Sequence, residues 1–244
     1  MDSASLGHFS WTNYDAALFD LDGVLTPTAE VHMRAWEKMF NDYLGELEGQ
    51  TPYTEQDYFD YVDGKPRYEG VQSFLDSRSI DLPFGEPEDE SEAVTVCGLG
   101  NRKNELFTQV LRDGGIEAYP GSLQLLDHLK SIGVQMAVVS SSKNAPDVLA
   151  VAGIADRFPI VVHGGVAAEK NIPGKPRPDT YTFAAQELGL DSRRCVVFED
   201  AISGVQAGAA GDFGLVVGVD RGAGVESLTT NGAGIVVADL NELI

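Results

Sequence analysis

The 244-residue sequence has few cysteines, few cations and no long apolar run. Cys97 and Cys195 are too few and too far apart for a disulfide framework or a paired-thiolate metal motif, so each is expected to be a small buried hydrophobe in a reducing compartment. No stretch has the roughly 18 uninterrupted apolar residues of a membrane span. The segment Met1–His8 has neither the basic nor the apolar region of an export signal. These absences predict a soluble, cytoplasmic protein.

Positive charge is scarce, with 17 Lys and Arg against 38 Asp and Glu and a formal net charge of −21. This balance argues against nucleic acid and anionic membrane as partners, because both bind cationic faces. An anionic substrate would need local cations that overcome the repulsion of the whole chain. The hydrophobic content of 43% is sufficient for one large domain, or for a core with a smaller lobe.

Short apolar runs and helical stretches alternate along much of the chain. The runs that predict buried strands are Ala16–Phe19, Val134–Val139, Val196–Phe198 and Leu215–Val219. The predicted helices between them are Ser122–Ser131, Pro178–Leu188 and Ser203–Ala210. This alternation predicts an α/β protein with a doubly wound parallel sheet.

One block interrupts this alternation with helices and no parallel strand. Its predicted helices are Val31–Leu47, Glu55–Val62, Glu69–Ser79 and Asn101–Arg112. We therefore expect an α/β core domain of residues 1–28 and 113–244, and an inserted all-helical cap domain of residues 29–112. Two crossings between them would make a natural hinge. The segment Asp81–Glu92, rich in Pro, Gly and acid, is predicted to be an exposed loop.

The first apolar run ends in two carboxylates, Asp20 and Asp22, followed by Gly23. Asp-x-Asp-Gly also occurs in calcium loops and Asx turns. A calcium loop, however, needs an oxygen ligand and a glutamate where this chain has Val24 and Val31. Because open α/β sheets keep their chemistry at the carboxyl ends of strands, the pair is predicted to supply a nucleophile and a proton-transfer group.

Three later segments carry polar groups in a comparable position. Ser140 opens a run of three serines, Lys175 stands before a helix beside Pro176, and Glu199 and Asp200 end a strand. Taken singly, the serine could cap a helix, the lysine could be a surface residue and the acids an exposed strand end. Neither a Walker loop nor a dinucleotide fingerprint matches the glycines at 98, 100 and 174.

The chain thus carries an acid, a hydroxyl, a lysine and a second acid in that order. This ordered set resembles that of the haloacid dehalogenase superfamily of phosphotransferases. The resemblance implies that Asp20 attacks phosphorus to form an aspartyl phosphate and that Asp22 is the general acid/base. It implies Mg²⁺ held by the Asp20 carboxylate, the Asp22 backbone carbonyl, and Glu199 or Asp200. The implied phosphoryl-binding residues are Ser140, Ser141 and Lys175.

Four stretches are similar to β-phosphoglucomutases: Thr28–Trp36, Asp63–Arg67, Arg102–Asn104 and Ser140–Asn144. The segment Tyr61–Leu75 resembles an actinobacterial subgroup of β-phosphoglucomutase-like hydrolases. The similarity implies that Arg67 binds the phosphate that is not transferred and that His32 hydrogen-bonds Asp22 or its hinge. The other residues implied in substrate binding are Trp36, Gly64, Lys103, Ser142, Lys143 and Asn144. Without this similarity, His32 and Trp36 could also be structural, with the tryptophan facing the core beside a histidine whose hydrogen bonds are satisfied.

Some positions depart from the family's pattern. Pro27 occupies a hinge position where an acid is common, and Lys65-Pro66 replaces smaller residues in the specificity loop. The fixed φ of Pro27 would stiffen the hinge. Lys65 is expected to converge with Arg67 and Lys103 on a second anion site.

The reaction expected from the resemblance is the Mg²⁺-dependent interconversion of β-D-glucose 1-phosphate and glucose 6-phosphate through a bisphosphate intermediate, by a monomer. A phosphatase acting on a small phosphosugar is the alternative. A non-catalytic phosphosugar-binding protein is a third reading, although a mere binder needs no general acid. A receiver-type signalling domain fits less well, because its acceptor aspartate would not be expected on the first strand.

Overall fold

The computed structural model of the protein describes residues 9–244, apart from the side chains of residues 112–114. The segment Met1–His8 therefore lies outside the described residues. The chain forms two compact units, one comprising the described residues up to Pro27 with Ile116–Ile244, the other Thr28–Gly115. The second unit begins at Thr28 rather than 29 and ends at Gly115 rather than 112, because its first helix begins three residues earlier and its last helix ends two residues later than predicted.

The first unit, here called the core, contains one parallel sheet of six strands in the order β3-β2-β1-β4-β5-β6. The strands are β1 Ala16–Phe19, β2 Gln135–Val139, β3 Ile160–Val162, β4 Cys195–Glu199, β5 Leu215–Val219 and β6 Ile235–Val237. The four predicted strands are confirmed within one or two residues of their bounds. Strands β3 and β6 escaped prediction because three residues are too few to show a hydrophobic period.

Strand β1 lies in the middle of the sheet, and all four of its residues are buried. Such a continuous apolar run is typical of a parallel strand covered on both faces. Phe19 pairs with Val138 of β2 on one side and with Phe198 of β4 on the other. The chain adds strands first beyond β2 and then beyond β4, so the strand order reverses between β1 and β4. Ligand crevices of open α/β sheets form at such a point.

The second unit, here called the cap, is helical. Its elements are α1 Thr28–Leu44, α2 Glu55–Asp57 with a π-helical turn Tyr58–Val62, α3 Arg67–Ser77 and α4 Val96–Gly114. All four predicted helical segments are confirmed, with shifted ends. Helix α4 starts five residues early because the Thr95 side chain accepts a hydrogen bond from the Gly98 amide and caps it. The cap has its own core, in which the rings of Phe40 and Phe74 lie 4.2 Å apart.

The segment Asp81–Glu92 contains no helix or strand, and most of its side chains are exposed, as predicted. It is called the acidic loop below. Its backbone carbonyls at Pro87 and Asp89 accept hydrogen bonds from Asn101 of α4. The loop is therefore anchored to α4.

The described α-helices of the core are α5 Pro120–Ile132, α6 Ala145–Val151, α7 Gly164–Glu169, α8 Asp179–Glu187, α9 Ile202–Ala210 and α10 Val225–Thr230. Helix α5 begins with a proline at its first position and ends at Gly133, whose φ of +76° is the left-handed conformation that glycine adopts readily. None of the described helices combines the length and hydropathy needed to cross a bilayer.

Both cysteines are buried, as expected for small hydrophobes. Burial raises the pKa of the Cys195 thiol to about 11. The thiol is therefore neutral at physiological pH, which is the form that an apolar environment favours.

Candidate active site

Asp20 follows β1 directly and is only 7% exposed. Its amide continues the sheet by donating to the Phe198 carbonyl oxygen at 2.9 Å. Burial raises the pKa of the Asp20 carboxyl well above its usual value, against the opposing charge of Lys175. The predicted nucleophile thus lies in a protected position at the point where the strand order reverses.

Lys175 connects three groups at this edge of the sheet. Its Nζ donates to Asp20 Oδ1 at 2.5 Å and to the Val139 carbonyl oxygen at 3.0 Å, and it lies 2.5 Å from Glu199 Oε1. Burial acts to lower the pKa of the ammonium, but the charges of Asp20 and Glu199 outweigh it and raise that pKa. The alternative that Lys175 is a surface lysine is wrong, since the residue is 2% exposed.

Glu199 is also held by a residue that the sequence did not single out. The hydroxyl of Tyr181, in the first turn of α8, donates to Glu199 Oε1 at 2.8 Å. Burial raises the pKa of Tyr181 far above its usual value, with a further contribution from the charge of Glu199, so the hydroxyl remains a donor. The only signal in the sequence was its place six residues after Lys175, where the helix returns it to the same buried region.

Three carboxylates form a cluster that could hold a cation. Oxygen atoms of Asp20, Glu199 and Asp200 lie within 4.8 Å of one another. Lys175 supplies one positive charge against these three groups. The excess of hard, negatively charged oxygen ligands matches the preference of a divalent cation such as Mg²⁺.

Two glycines leave room for these acids. A Cβ on Gly23 would lie 1.8 Å from Asp200 Oδ2, and one on Gly204 would lie 1.8 Å from Glu199 Oε1. Gly23 also has a φ of +81°, which a residue with a side chain rarely adopts. The glycine after the Asp-x-Asp pair is therefore required by both space and backbone conformation.

Asp22 is half-buried in the turn that follows β1. The Gly23 amide closes this turn on the Thr26 carbonyl oxygen at 2.8 Å, and the Gly23 carbonyl accepts from Arg221 Nε at 2.9 Å. The Arg221 guanidinium lies 4.1 Å from the centre of the Tyr119 ring. Arg221, which sequence reasoning missed, thus braces the turn that carries the predicted acid/base.

Ser140 follows β2 and is 4% exposed. Its Oγ accepts from the Ser142 amide at 3.1 Å, and Ser142 Oγ accepts from the Asn144 amide at the same distance. Helix α6 starts after Asn144, so the alternative that Ser140 is its N-cap is wrong. Ser141 is half-buried and Lys143 exposed in the same loop. Because β1 and β2 are parallel neighbours, this loop and Asp20 lie at the same carboxyl end of the core sheet.

Within the cap, three predicted substrate-binding residues lie together. The Lys103 Nζ hydrogen-bonds His32 Nδ1 and lies 4.8 Å from the centre of the Trp36 ring. The His32 ring stacks on Phe107 with centroids 4.0 Å apart. Lys103 is 4% exposed, so its charge is held among aromatic faces and an imidazole rather than in water.

Arg67, the first residue of α3, is held by two amides of α4. Its Nη1 donates to Asn101 Oδ1 at 3.3 Å, and its Nη2 to Asn104 Oδ1 at 2.7 Å. Burial lowers the pKa of the guanidinium, although arginine stays protonated in proteins. Asn101 was not predicted as a site residue; its only signal is the spacing of three from Asn104 on one helical face.

The two other predicted features of this loop lie just before Arg67. Gly64 has a φ of +69° in the turn that leads to α3. Lys65 Nζ donates to Ser73 Oγ at 2.7 Å. The three cap cations expected to converge therefore have separate partners: a hydroxyl for Lys65, two amides for Arg67 and an imidazole for Lys103.

A central strand ending in a buried aspartate, a lysine bridging two carboxylates and an inserted helical cap define the class of the protein. The family model described as haloacid dehalogenase-like hydrolase matches residues 14–212, and the chain belongs to this family. It is an enzyme of phosphotransferase or hydrolase type.

Within this family the chain is similar to proteins named beta-phosphoglucomutase. It is 48% identical over 239 residues to the one from Mycobacterium tuberculosis, covering 94% of this chain and 91% of the relative. It is 32% identical over 205 residues to that of Bacillus subtilis, covering 83% of each. The crystal structure of the Clostridium difficile protein has a TM-score of 0.77 and 26% identity, covering 95% of this chain and 93% of that one. These likenesses confirm the resemblance drawn from the motifs.

Proposed function

We propose that the protein is a Mg²⁺-dependent phosphosugar mutase that interconverts β-D-glucose 1-phosphate and glucose 6-phosphate. The observation that carries the proposal is the chain of contacts Asp20–Lys175–Glu199, a buried nucleophile and its cation at the reversal point of the sheet. The names of the relatives support the choice of sugar. The groups needed all belong to one chain, so we expect a monomer acting in the cytoplasm on a small phosphosugar, without nucleic acid or membrane.

In the proposed reaction, an Asp20 carboxylate oxygen attacks one phosphorus of bound glucose 1,6-bisphosphate. The bond between phosphorus and the sugar oxygen breaks, and Asp22 donates a proton to that oxygen. The resulting aspartyl phosphate is then attacked by the free hydroxyl of a glucose monophosphate, with Asp22 taking the proton back, so that the bisphosphate intermediate forms again. Lys175 and the Ser140 hydroxyl would neutralise and orient the phosphoryl oxygens throughout.

The metal would be held by the carboxylates of Asp20, Glu199 and Asp200 and by the Asp22 backbone carbonyl. When bound, Mg²⁺ would offset the negative charge shared by nucleophile and phosphoryl group. Lys175 alone cannot balance three carboxylates and a phosphate, which is the physical reason to expect a cation here.

The cap residues are proposed to bind the rest of the substrate. Arg67 would bind the phosphate that is not transferred, since a planar guanidinium can donate to two phosphate oxygens at once. Lys103, His32 and Trp36 would contact the sugar phosphate from their shared cluster, and Ser142, Lys143 and Asn144 would do so from the core. A pure phosphatase would need these cations only for substrate selection.

The test is to incubate the protein with Mg²⁺ and β-glucose 1-phosphate, primed with glucose 1,6-bisphosphate, and to follow the ³¹P resonances. We expect glucose 6-phosphate to grow without comparable release of inorganic phosphate. Dominant free phosphate would contradict the mutase in favour of the phosphatase. An unchanged spectrum would favour a binding protein or another substrate.

A further inference from the structure

Arg67 is held rigidly by groups that leave its charge unneutralised. Within the part of the chain that the structure describes, its guanidinium donates to Asn101 Oδ1 and Asn104 Oδ1, which are neutral amide oxygens. A carboxylate in either place would cancel the positive charge that an anion needs. Two amides instead fix the direction of the guanidinium and keep its charge available.

Asn101 uses both ends of its amide. Its Oδ1 accepts from Arg67 and, at 2.9 Å, from the Tyr68 hydroxyl, while its Nδ2 donates to the carbonyl oxygens of Pro87 and Asp89 at 3.1 and 2.8 Å. A flipped amide would set its N–H groups against other donors and its oxygen against two carbonyls, so the network permits one orientation. Asn101 therefore links Arg67 to the acidic loop.

The acidic loop is itself tied to the start of α4. Asp89 Oδ2 accepts from the Thr95 hydroxyl at 2.6 Å, and the Ser91 carbonyl accepts from Arg102 Nε at 2.8 Å. The carbonyl oxygens of Pro87 and Asp89, which accept from Asn101, are thus fixed by the contacts that Asp89 and Ser91 make with Thr95 and Arg102. An exposed segment without regular structure becomes a rigid support behind Arg67.

We propose that Asn101, supported by the acidic loop, is a positioning residue that orients Arg67 and so sets the preference for sugars carrying a second phosphate. This inference rests on the proposed function in one respect, namely that Arg67 binds the phosphate that is not transferred. The catalytic groups of the core do not depend on it. The inference therefore predicts a selective defect rather than a general loss of activity.

The test compares two phosphoryl donors, glucose 1,6-bisphosphate and acetyl phosphate, which has no second phosphate. For Asn101→Ala we expect KM for the bisphosphate to rise about tenfold with kcat little changed, and KM for acetyl phosphate to stay within about twofold of the wild type. Asn101→Asp should raise KM for the bisphosphate further, because its carboxylate pairs with Arg67. Arg67→Ala sets the upper limit of the effect.

Two further variants distinguish a loss of Arg67 orientation from a general loss of stability. Tyr68→Phe removes one donor to Asn101 and should shift KM for the bisphosphate in the same direction by a smaller factor, about threefold. Asn231→Ala is the matched control, since Asn231 also bonds through both ends of its amide but lies in the core, with Gln206 and Ser227. We expect wild-type KM values from it.

Two results would overturn the inference in distinguishable ways. If the wild type prefers the bisphosphate and both Asn101→Ala and Tyr68→Phe keep that preference, Asn101 does not orient Arg67 although the proposed function stands. If the wild type turns over acetyl phosphate but shows no preference for the bisphosphate, the proposed function and the inference fail together.

Discussion

Lys175 places one ammonium group between two buried carboxylates and a main-chain carbonyl oxygen. Removing a buried cation from such a set would leave uncompensated negative charge, which costs far more than a surface ion pair gains. The same arrangement that the proposed chemistry uses to bring an anionic phosphate to Asp20 therefore also stabilises the carboxyl end of the sheet. At the scale of single residues, stability and the proposed chemistry depend on the same contacts.

The substitution Asp20→Asn separates the part of Asp20 in the proposed chemistry from its effect on stability. We expect at least about a 10³-fold loss of turnover, because the amide cannot form the phosphoryl-enzyme. Burial raises the pKa of the Asp20 carboxyl, so its ionised form opposes folding at neutral pH, and this penalty disappears as pH falls below the unfolded-state pKa. In metal-free buffer the variant should melt no lower than the wild type at pH 7.5, with any gain narrowing near pH 4.

The matched control for this variant is Asp15→Asn, since Asp15 is a half-buried aspartate outside the site, paired with Arg194 at 2.7 Å. It should leave turnover unchanged. Residual activity of Asp20→Asn above about one hundredth of the wild type would contradict the assignment of the nucleophile.

Tyr181→Phe and Tyr53→Phe form a second matched pair of buried tyrosines. The Tyr181 hydroxyl donates to Glu199, whereas within the described part of the chain the Tyr53 hydroxyl is buried with no hydrogen-bond partner. Tyr181→Phe should lower the free energy of unfolding by about 1–2 kcal/mol and reduce kcat with little change in KM. Tyr53→Phe should be neutral or stabilising. Urea unfolding and steady-state kinetics of both variants test this; equal effects would contradict it.

Among single residues, the charged candidate site residues could be proposed from the sequence, whereas the residues that hold them in place could not. Asp20, Lys175 and Glu199 stand out because each is a charged residue beside a strand or proline signal. Tyr181, Asn101 and Arg221 carry no such mark, since tyrosine, asparagine and arginine are common on helices and loops. Their partners lie 18, 34 and 198 residues away along the chain. Sequence proximity gave no indication of these contacts.

At the scale of elements, the start of α4 organises much of the cap. Thr95 accepts from the Gly98 amide at 2.9 Å and donates to Asp89 at 2.6 Å, so one hydroxyl caps the helix and anchors the acidic loop. The prediction placed this start at Asn101, because Gly98 and Gly100 are poor helix formers. Close packing explains why both positions are glycine. A Cβ on Gly98 would lie 2.2 Å from the Ala93 carbonyl oxygen, and one on Gly100 would lie 2.8 Å from the Tyr68 ring.

Thr95→Ala should loosen this end of the cap. The loss of the N-cap is expected to cost about 1–2 kcal/mol. Hydrogen exchange of the Gly98 amide should accelerate by about tenfold or more, since that amide loses its acceptor. Thr108→Ala, in the interior of the same helix, is the control and should be neutral or stabilising, because alanine is the better helix former. Equal exchange rates in the two variants would contradict the capping role.

At the scale of the whole molecule, the net charge of −21 opposes the approach of any anionic substrate. The cations proposed to bind phosphate act at short range, whereas the field of the chain acts over a Debye length. That length falls from about 30 Å at 0.01 M salt to about 8 Å at 0.15 M. Screening should therefore weaken the repulsion more than it weakens contacts within the site.

We expect kcat/KM for β-glucose 1-phosphate to rise by about two- to fivefold as salt increases from about 10 to 150 mM, through KM rather than kcat. Initial rates at fixed Mg²⁺ test this. A fall of kcat/KM over the same range would mean that local cations dominate the field that the substrate meets.

The sequence by itself determined the alternation of strands and helices in the core, the inserted helical cap, and the candidate site residues at three strand ends and before one helix. Hydrophobic period and turn residues act over a few neighbouring positions, so these features are visible without coordinates. Only the tertiary structure decided which charges meet: that Lys175 bridges Asp20 and Glu199, and that Asn101 joins Arg67 to the acidic loop. Strand register and helix packing set those pairings, and both depend on residues far apart in the chain.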